Sequence, residues 1–250
     1  MQAEEILAFA NEKNVVAAWD DAHRYTPAPR HRRRLILQML HGLDFADCLD
    51  TGCAQPFLLQ EIMQRRGVAG FGCDVSDQVM AENRRILPEA EFRVVDLTNE
   101  ILPNGKVFDL VICSEVLEHI AHWQKAVTNL AKMTRKHLLI TVPGGPLREM
   151  DRLVGHHQHF AGPELQRAIE ESGLTVRQMR YWGFPFHSLY KTLISRLSPA
   201  QIYSAFSGGK SYGWAKRAFS RMLYLLFFVN DLSEAGDQLL IHAERLAPKQ

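Results

Sequence analysis

The chain has 250 residues, 46% of them hydrophobic and 23% charged, with a formal net charge of +1. That length suits one α/β domain, alone or with an appendage, and the apolar share is enough for a full core. The near-zero charge creates no global field toward nucleic acid, and no uncharged apolar run reaches the roughly 18 residues that a membrane-spanning helix requires. The start, MQAEEILAFANEKN, is acidic and has no basic n-region, so no signal peptide is expected. Cys48, Cys53, Cys73 and Cys113 form no C-x-x-C pair and fall at or near predicted strand ends. They read as buried free thiols of a reducing compartment, which predicts a cytoplasmic protein.

In chain order, residues 3–18 read as an amphipathic helix with Ile6, Leu7, Ala10 and Val15 on its apolar face. Residues 26–34 form a proline-punctuated link carrying Arg30, Arg32, Arg33 and Arg34, and residues 30–41 read as helical. The arginine cluster is expected to be a solvated helix face or, alternatively, a contact for a substrate phosphate or a membrane surface. From 45 to 142 strands near 45–50, 68–73, 91–95, 107–113 and 137–142 alternate with helices near 56–66, 76–86 and 120–134. That alternation predicts an α/β fold, a doubly wound and mostly parallel sheet with helices on both faces. Residues 143–160 look like a loop led by Pro143-Gly144-Gly145-Pro146, followed by a helix at 163–172 and a strand at 174–181. Residues 184–231 combine aromatics with helical apolar spacing, and DQLLIHAERLA then alternates like a strand. The expected organisation is N-terminal helices to 44, a core over 45–183, a helical insertion or lid over 184–231, and a last core strand with a tail over 232–250.

The chemistry concentrates at the predicted strand ends, where such sheets bind ligands. CLDTGCAQPFL places Asp50, Gly52 and Cys53 in a strand-to-helix turn with little side-chain bulk. GFGCDVS ends a second strand at Asp74, roughly 20 residues on, the spacing at which an acid can accept both hydroxyls of a ribose. FRVVDLT places Asp96 at a third strand end, and FDLVICSEVLEHI carries Asp109 and Glu115 on a fourth. This ordered set resembles the class I S-adenosylmethionine-dependent methyltransferases. The resemblance implies a Rossmann-like, seven-stranded sheet whose last strand is antiparallel, and S-adenosylmethionine as cofactor. It implies cofactor contacts at Asp50, Gly52, Cys53, Ala54, Asp74, Val75, Asp96, Leu97, Ser114 and Glu115, with Asp96 toward the adenine. The family's usual first motif is D-x-G-C-G-x-G, and here Ala54 and Pro56 replace the second and third glycines. Alanine fits if its φ is negative, and Pro56 suits the first turn of the following helix.

Glu115, Glu118 and His119 stand at i, i+3 and i+4 and share a face if a helix starts near residue 115. The later GHHQHF adds His156, His157 and His159, expected on the same rim. E-x-x-E-H with a later H-x-H-x-F resembles two groups of the family, quinone-biosynthesis O-methyltransferases and small-RNA 3′-terminal 2′-O-methyltransferases. In the second group such residues hold a divalent ion, so Glu115, Glu118, His119 and His159 are the candidate ligands for magnesium or manganese. Alternatively, Glu118 caps or pairs on the surface and His119 is a hydrogen-bonded wall of the cofactor pocket. A hydroxyl acceptor needs its proton removed, and His119, His157 and His159 are the candidate bases, because imidazole titrates near neutrality.

The expected activity is methyl transfer to an oxygen of a small molecule: a quinone, phenol, glycan or natural product. The aromatics of 184–231 suit a ring-shaped substrate, or they pack the insertion or a homodimer interface. KRAFSRMLYLLFFV (216–229) is basic at one end and apolar at the other, a pattern compatible with membrane-surface contact. The alternatives are RNA 3′-terminal 2′-O-methylation and a non-catalytic binding protein of the same fold. The absence of a single-strand stacking platform argues against a nucleic-acid partner.

Overall fold

A computed structural model describes residues 24–194, 196 and 212–246. The predicted helix at 3–18 lies outside them. The chain divides into two compact units. Among the described residues, one holds 24–35, Leu147–Gly155 and those within Trp182–Asp237, and the other holds Ile36–Pro146, His156–Tyr181 and 238–246.

The larger unit is built on seven strands: β1 (Asp47–Thr51), β2 (Ala69–Asp74), β3 (Glu91–Val94), β4 (Phe108–Ser114), β5 (Thr134–Pro143), β6 (Thr175–Trp182) and β7 (Gln238–Glu244). They lie in the order β3-β2-β1-β4-β5-β7-β6. β1 to β5 pair in parallel, and β7 runs antiparallel to β5, from His137 opposite Glu244 to Pro143 opposite Gln238. β4 shows why the centre is stable. Its residues Phe108 to Cys113 are all buried, as expected of a strand covered on both faces. Helix α4 (Trp123–Met133) covers one face with Trp123, Ala126, Val127, Leu130 and Met133, each buried. Fully burying one such large apolar side chain stabilises by about 1.5–3 kcal/mol. α2 (Phe57–Arg66), α3 (Asp77–Ile86) and α6 (Gly162–Glu171) complete the βα alternation.

Asp109 is the second residue of β4, at the end of the sheet opposite the predicted ligand edge. It accepts from the Ala46 amide at 3.0 Å and pairs with Arg135 at 2.8 Å and Lys136 at 3.2 Å. Burial alone would raise its pKa, but these partners outweigh burial and hold the carboxyl below the usual range. Asp109 is therefore a structural clamp.

In the smaller unit, helix α1 (Pro27–Met39) starts where a proline link was expected. Proline is tolerated in a first helical turn, which has no intrahelical use for its missing N–H. Within the arginine cluster, Arg30 and Arg34 are not part of a solvated face. Arg30 lies 4.0 Å over the Tyr224 ring, and Arg34 lies 4.1 Å over Phe228 and pairs with Asp231 at 2.6 Å. Tyr224 and the 3₁₀ turn at Phe228–Leu232 belong to and follow α8 (Trp214–Phe227), in the predicted helical insertion. α7 (Phe186–Ile194) carries His187, which pairs with Asp237 at 3.0 Å beside the buried Trp182. The 143–160 stretch, predicted to be loop, contains the short helix α5 (Glu149–Leu153).

Candidate active site

The carboxyl ends of β1, β2, β3 and β4 open onto a cavity of about 580 Å³, in the range of small-ligand sites. Gly52, Ala54, Asp74, Val75, Asp96, Leu97 and Glu115 line it, seven of the residues expected there. Gly52 has φ +61°, and a Cβ on it would stand 2.4 Å from Val116 Cγ2, so this turn admits glycine alone. Ala54 departs from expectation: its φ is +40°, not negative. Neighbours hold it there, since its amide donates to Asp74 Oδ2 at 3.3 Å and its carbonyl accepts from Asn83 Nδ2 at 2.6 Å. Pro56 sits just before the first turn of α2 and its carbonyl accepts from the Gln60 amide, as its fixed φ allows.

The three aspartates are electrostatically distinct. Asp50 is 3% exposed and lies beneath the cavity, not in its lining. Burial, then the nearby Asp74 charge, pushes its pKa up to about 7. Asp74 lines the cavity, and its other oxygen, Oδ1, accepts from the Ser76 amide at 3.1 Å. Asp96 accepts from the Thr98 hydroxyl at 2.6 Å, the Thr98 amide at 2.9 Å and Asn99 Nδ2 at 2.6 Å. These bonds, the Thr98 hydroxyl first, keep it ionised below the usual carboxylate range. Cys53 and Ser114 stand behind the lining. The Cys53 amide bonds the Cys73 carbonyl at 3.0 Å, and Ser114 Oγ meets Thr141 Oγ1 at 2.9 Å. The four cysteines are free and buried, and burial pushes the thiols up, Cys73 to about 12.

The helix expected from residue 115 does not form. Glu115 has φ +57°, and its amide bonds the Thr141 carbonyl, which prolongs the β4–β5 ladder. Only a 3₁₀ turn follows, Leu117–His119. The carbonyls that an α-helix would use are taken by the histidine loop: the His157 amide bonds Glu118 O at 2.8 Å, and Gln158 Nε2 bonds Leu117 O at 3.2 Å and Ile120 O at 2.9 Å. The two segments thus share one rim, as expected, but Glu115 does not share a helix face with Glu118 and His119. Glu115 lines the cavity instead and accepts from the Thr141 hydroxyl at 3.2 Å.

Glu118 is fully buried, not a surface cap. Its carboxylate comes together with His119 and His156, one ligand atom of each lying within 4.8 Å of the others. This trio, with His156 in place of Glu115 or His159, is chemically able to hold a divalent ion. His119 also lines the cavity, and its ring meets His156 edge-on at 4.7 Å. His159 stands one step behind, Nε2 to His156 Nδ1 at 3.1 Å, and His157 is tied to the rim through its backbone. Val95, Thr98, Val116, Ile120, Ala121 and His122 also line the cavity. Sequence reasoning passed over them. Their positions immediately beside Asp96 and the E-x-x-E-H string were the available signal.

A parallel sheet with an antiparallel β7, and at its carboxyl edge a glycine turn followed by acids on successive strands, define a class I S-adenosylmethionine-dependent methyltransferase. The family model described as a methyltransferase domain matches residues 21–179, and the chain belongs to that family. It is 30% identical over 178 residues to a ubiquinone biosynthesis O-methyltransferase of Alkalilimnicola ehrlichii, covering 62% of this chain and 72% of the relative. A Rhizobium etli protein of the same name is 34% identical over 98 residues, 38% of this chain and 39% of that one. Among solved structures, magnesium protoporphyrin IX methyltransferase of Synechocystis with bound S-adenosylhomocysteine gives a TM-score of 0.58 at 14% identity, over 97% of this chain and 100% of that one. That likeness speaks to the fold.

Proposed function

We propose that the chain transfers the methyl group of S-adenosylmethionine to an oxygen of a small molecule of the quinone or phenol type, with His119 taking the acceptor's proton. The observation that carries this reading is His119 in the lining of the cavity that Gly52, Asp74 and Asp96 also build. The related ubiquinone biosynthesis O-methyltransferases support the acceptor class. Transfer from a sulfonium is an in-line displacement by an electrophile that already carries its activating charge. The residues mainly align the acceptor and exclude water, and alignment alone can supply about 7–11 kcal/mol. Asp74 is proposed to accept the ribose hydroxyls and Asp96 to face the adenine. His156 and His159 act through His119, as a relay of imidazoles that positions its ring.

In the alternative that uses a magnesium or manganese ion, Glu118, His119 and His156 would hold it, the ion would lower the pKa of a bound hydroxyl, and His119 would be a ligand instead of the base. Transfer of labelled methyl from the cofactor into a quinone or phenol acceptor tests the reading. His119→Gln is expected to lower turnover about 10²- to 10⁴-fold and to leave the cofactor dissociation constant unchanged. Full activity in that variant would remove His119 from the chemistry. If a metal is used, chelator abolishes activity, manganese restores it, and Glu118→Gln is as damaging as the histidine change.

A membrane-surface contact is supported by α8, which exposes Trp214, Phe219, Met222 and Leu225 beside Lys216, Arg217 and Arg221. Co-sedimentation with anionic vesicles, lost when Phe219 and Leu225 are both changed to serine, checks it. The buried free cysteines suit a reducing cytoplasm. Among the described residues no helix is long and apolar enough to cross a membrane.

A further inference from the structure

We propose a metal site, separate from the active site, in which His137, His242 and Glu244 bind a divalent transition ion of the zinc type. His137 stands near the start of β5, opposite Glu244 on the antiparallel β7, and His242 is two residues from Glu244. The period of two in a strand puts His242 and Glu244 on one face, and their cross-strand partners Leu139 and His137 share it. Three ligand atoms converge there. His137 Nδ1 and His242 Nε2 are 3.2 Å apart, His137 Nδ1 and Glu244 Oε1 are 3.6 Å apart, and His242 Nε2 and Glu244 Oε1 are 3.9 Å apart. Zinc bonds of about 2.1 Å in tetrahedral geometry require ligand atoms roughly 3.4 Å from each other. The triangle already has nearly that size, so an ion enters with small side-chain adjustments.

The chemistry of the set points the same way. Two imidazoles and one carboxylate suit zinc, cobalt or nickel better than magnesium or calcium. Three protein ligands leave a fourth position for water. The histidine side chains are 12% and 7% exposed and the glutamate is 28% exposed, so the carboxylate side is the way in. Arg177 Nε holds the other carboxylate oxygen, Oε2, at 2.8 Å, which fixes Oε1 toward the two rings. Without a metal, the two ring nitrogens share a hydrogen bond, and the ion replaces that bond with a clip between β5 and β7. The site lies near the amino end of β5, whereas the cofactor cavity is built at the carboxyl ends of the strands, where Glu115 meets Thr141.

Cobalt(II) titration of the full chain tests this, because a four-coordinate cobalt site gives intense visible bands. The wild type is expected to take up one equivalent with such bands, to keep them in His119→Gln, and to lose them in His242→Gln and in Glu244→Gln. The glutamate variant changes only a partly exposed side chain, so it remains informative if the buried histidine variant fails to fold. Zinc at about a hundredfold excess over its dissociation constant is expected to raise the melting temperature by on the order of 5 °C in the wild type and not in Glu244→Gln. A wild type without four-coordinate bands would overturn the proposal. So would bands that persist in Glu244→Gln and His242→Gln, or that vanish only in His119→Gln.

Discussion

At the scale of single residues, Ala54 is the clearest oddity. It occupies left-handed backbone, φ +40°, at a position where the family uses glycine. An L-residue with a Cβ is disfavoured there by roughly 1–2 kcal/mol, while glycine would free the unfolded chain by about 0.4–1 kcal/mol. Ala54→Gly is therefore expected to stabilise the protein by roughly 0.5–1 kcal/mol, and urea unfolding measures it. A loss of stability would mean that the turn is shaped around the methyl group. The sequence showed the substitution but not the sign of φ, because that sign depends on Asp74 and Asn83, 20 and 29 residues further on. Asp74 was legible from its spacing alone. Asp74→Asn keeps an oxygen for one of the Ala54 and Ser76 amides, which bond different carboxylate oxygens, and removes the charge that strengthens bonds to ribose hydroxyls. Such bonds contribute about 1.5–3 kcal/mol, so the dissociation constant of S-adenosylmethionine should rise about 10- to 150-fold by calorimetry. An unchanged constant in the folded variant would return Asp74 to a structural role.

Elements read well where the pattern is local and poorly where the deciding bond comes from far along the chain. The strands of the sheet and α2, α3 and α4 follow from period and turn residues, and they formed within a few residues of expectation. The E-x-x-E-H helix did not, because Gln158 and the His157 amide occupy the carbonyls of Leu117, Glu118 and Ile120. Nothing in SEVLEHI announces a partner that far away. Helix α3 supplies a similar hidden link. Its buried Asn83 donates to the Ala54 carbonyl at 2.6 Å and approaches Cys53 Sγ at 3.7 Å, so one helix position holds the turn that ends β1. Asn83→Ala would leave that carbonyl without its donor, at about 1–3 kcal/mol. We expect a lower unfolding free energy together with weaker cofactor binding. A variant destabilised but binding normally would show that the turn keeps its shape without α3.

For the whole molecule, the division into two units follows no single boundary in the sequence. Arg34 pairs with Asp231, 197 positions away, and β7 returns to the sheet after the smaller unit has been built. The arginine cluster consequently read as solvated, although its partners lie in α8 and the turn after it. The pH dependence of global stability is also a property of the assembled fold. Asp50 in the folded protein titrates near 7, far above its unfolded value near 3.8. Between those values the folded state holds a proton that the unfolded state has released. Stability from this group therefore falls as pH rises, by up to about 1.4 kcal/mol per unit, and levels off above the folded pKa. Asp50→Asn should abolish that slope, so its unfolding free energy relative to wild type should improve between about pH 5 and pH 8. Equal slopes in the two proteins would place the Asp50 proton elsewhere.

The same carboxyl has a consequence for ligand exchange. Burial first, and then the Asp74 charge, push the Asp50 pKa up, so a cation bound beside Asp74 is expected to offset the second cause and to favour release of the proton. S-adenosylmethionine carries a sulfonium, and the demethylated product does not. The heat of binding near pH 7 should then vary with the ionisation enthalpy of the buffer for the methyl donor, and vary less for the product. Loss of the sulfonium charge on methyl transfer is then expected to favour the protonated form of Asp50 again, which the smaller buffer dependence of product binding would record.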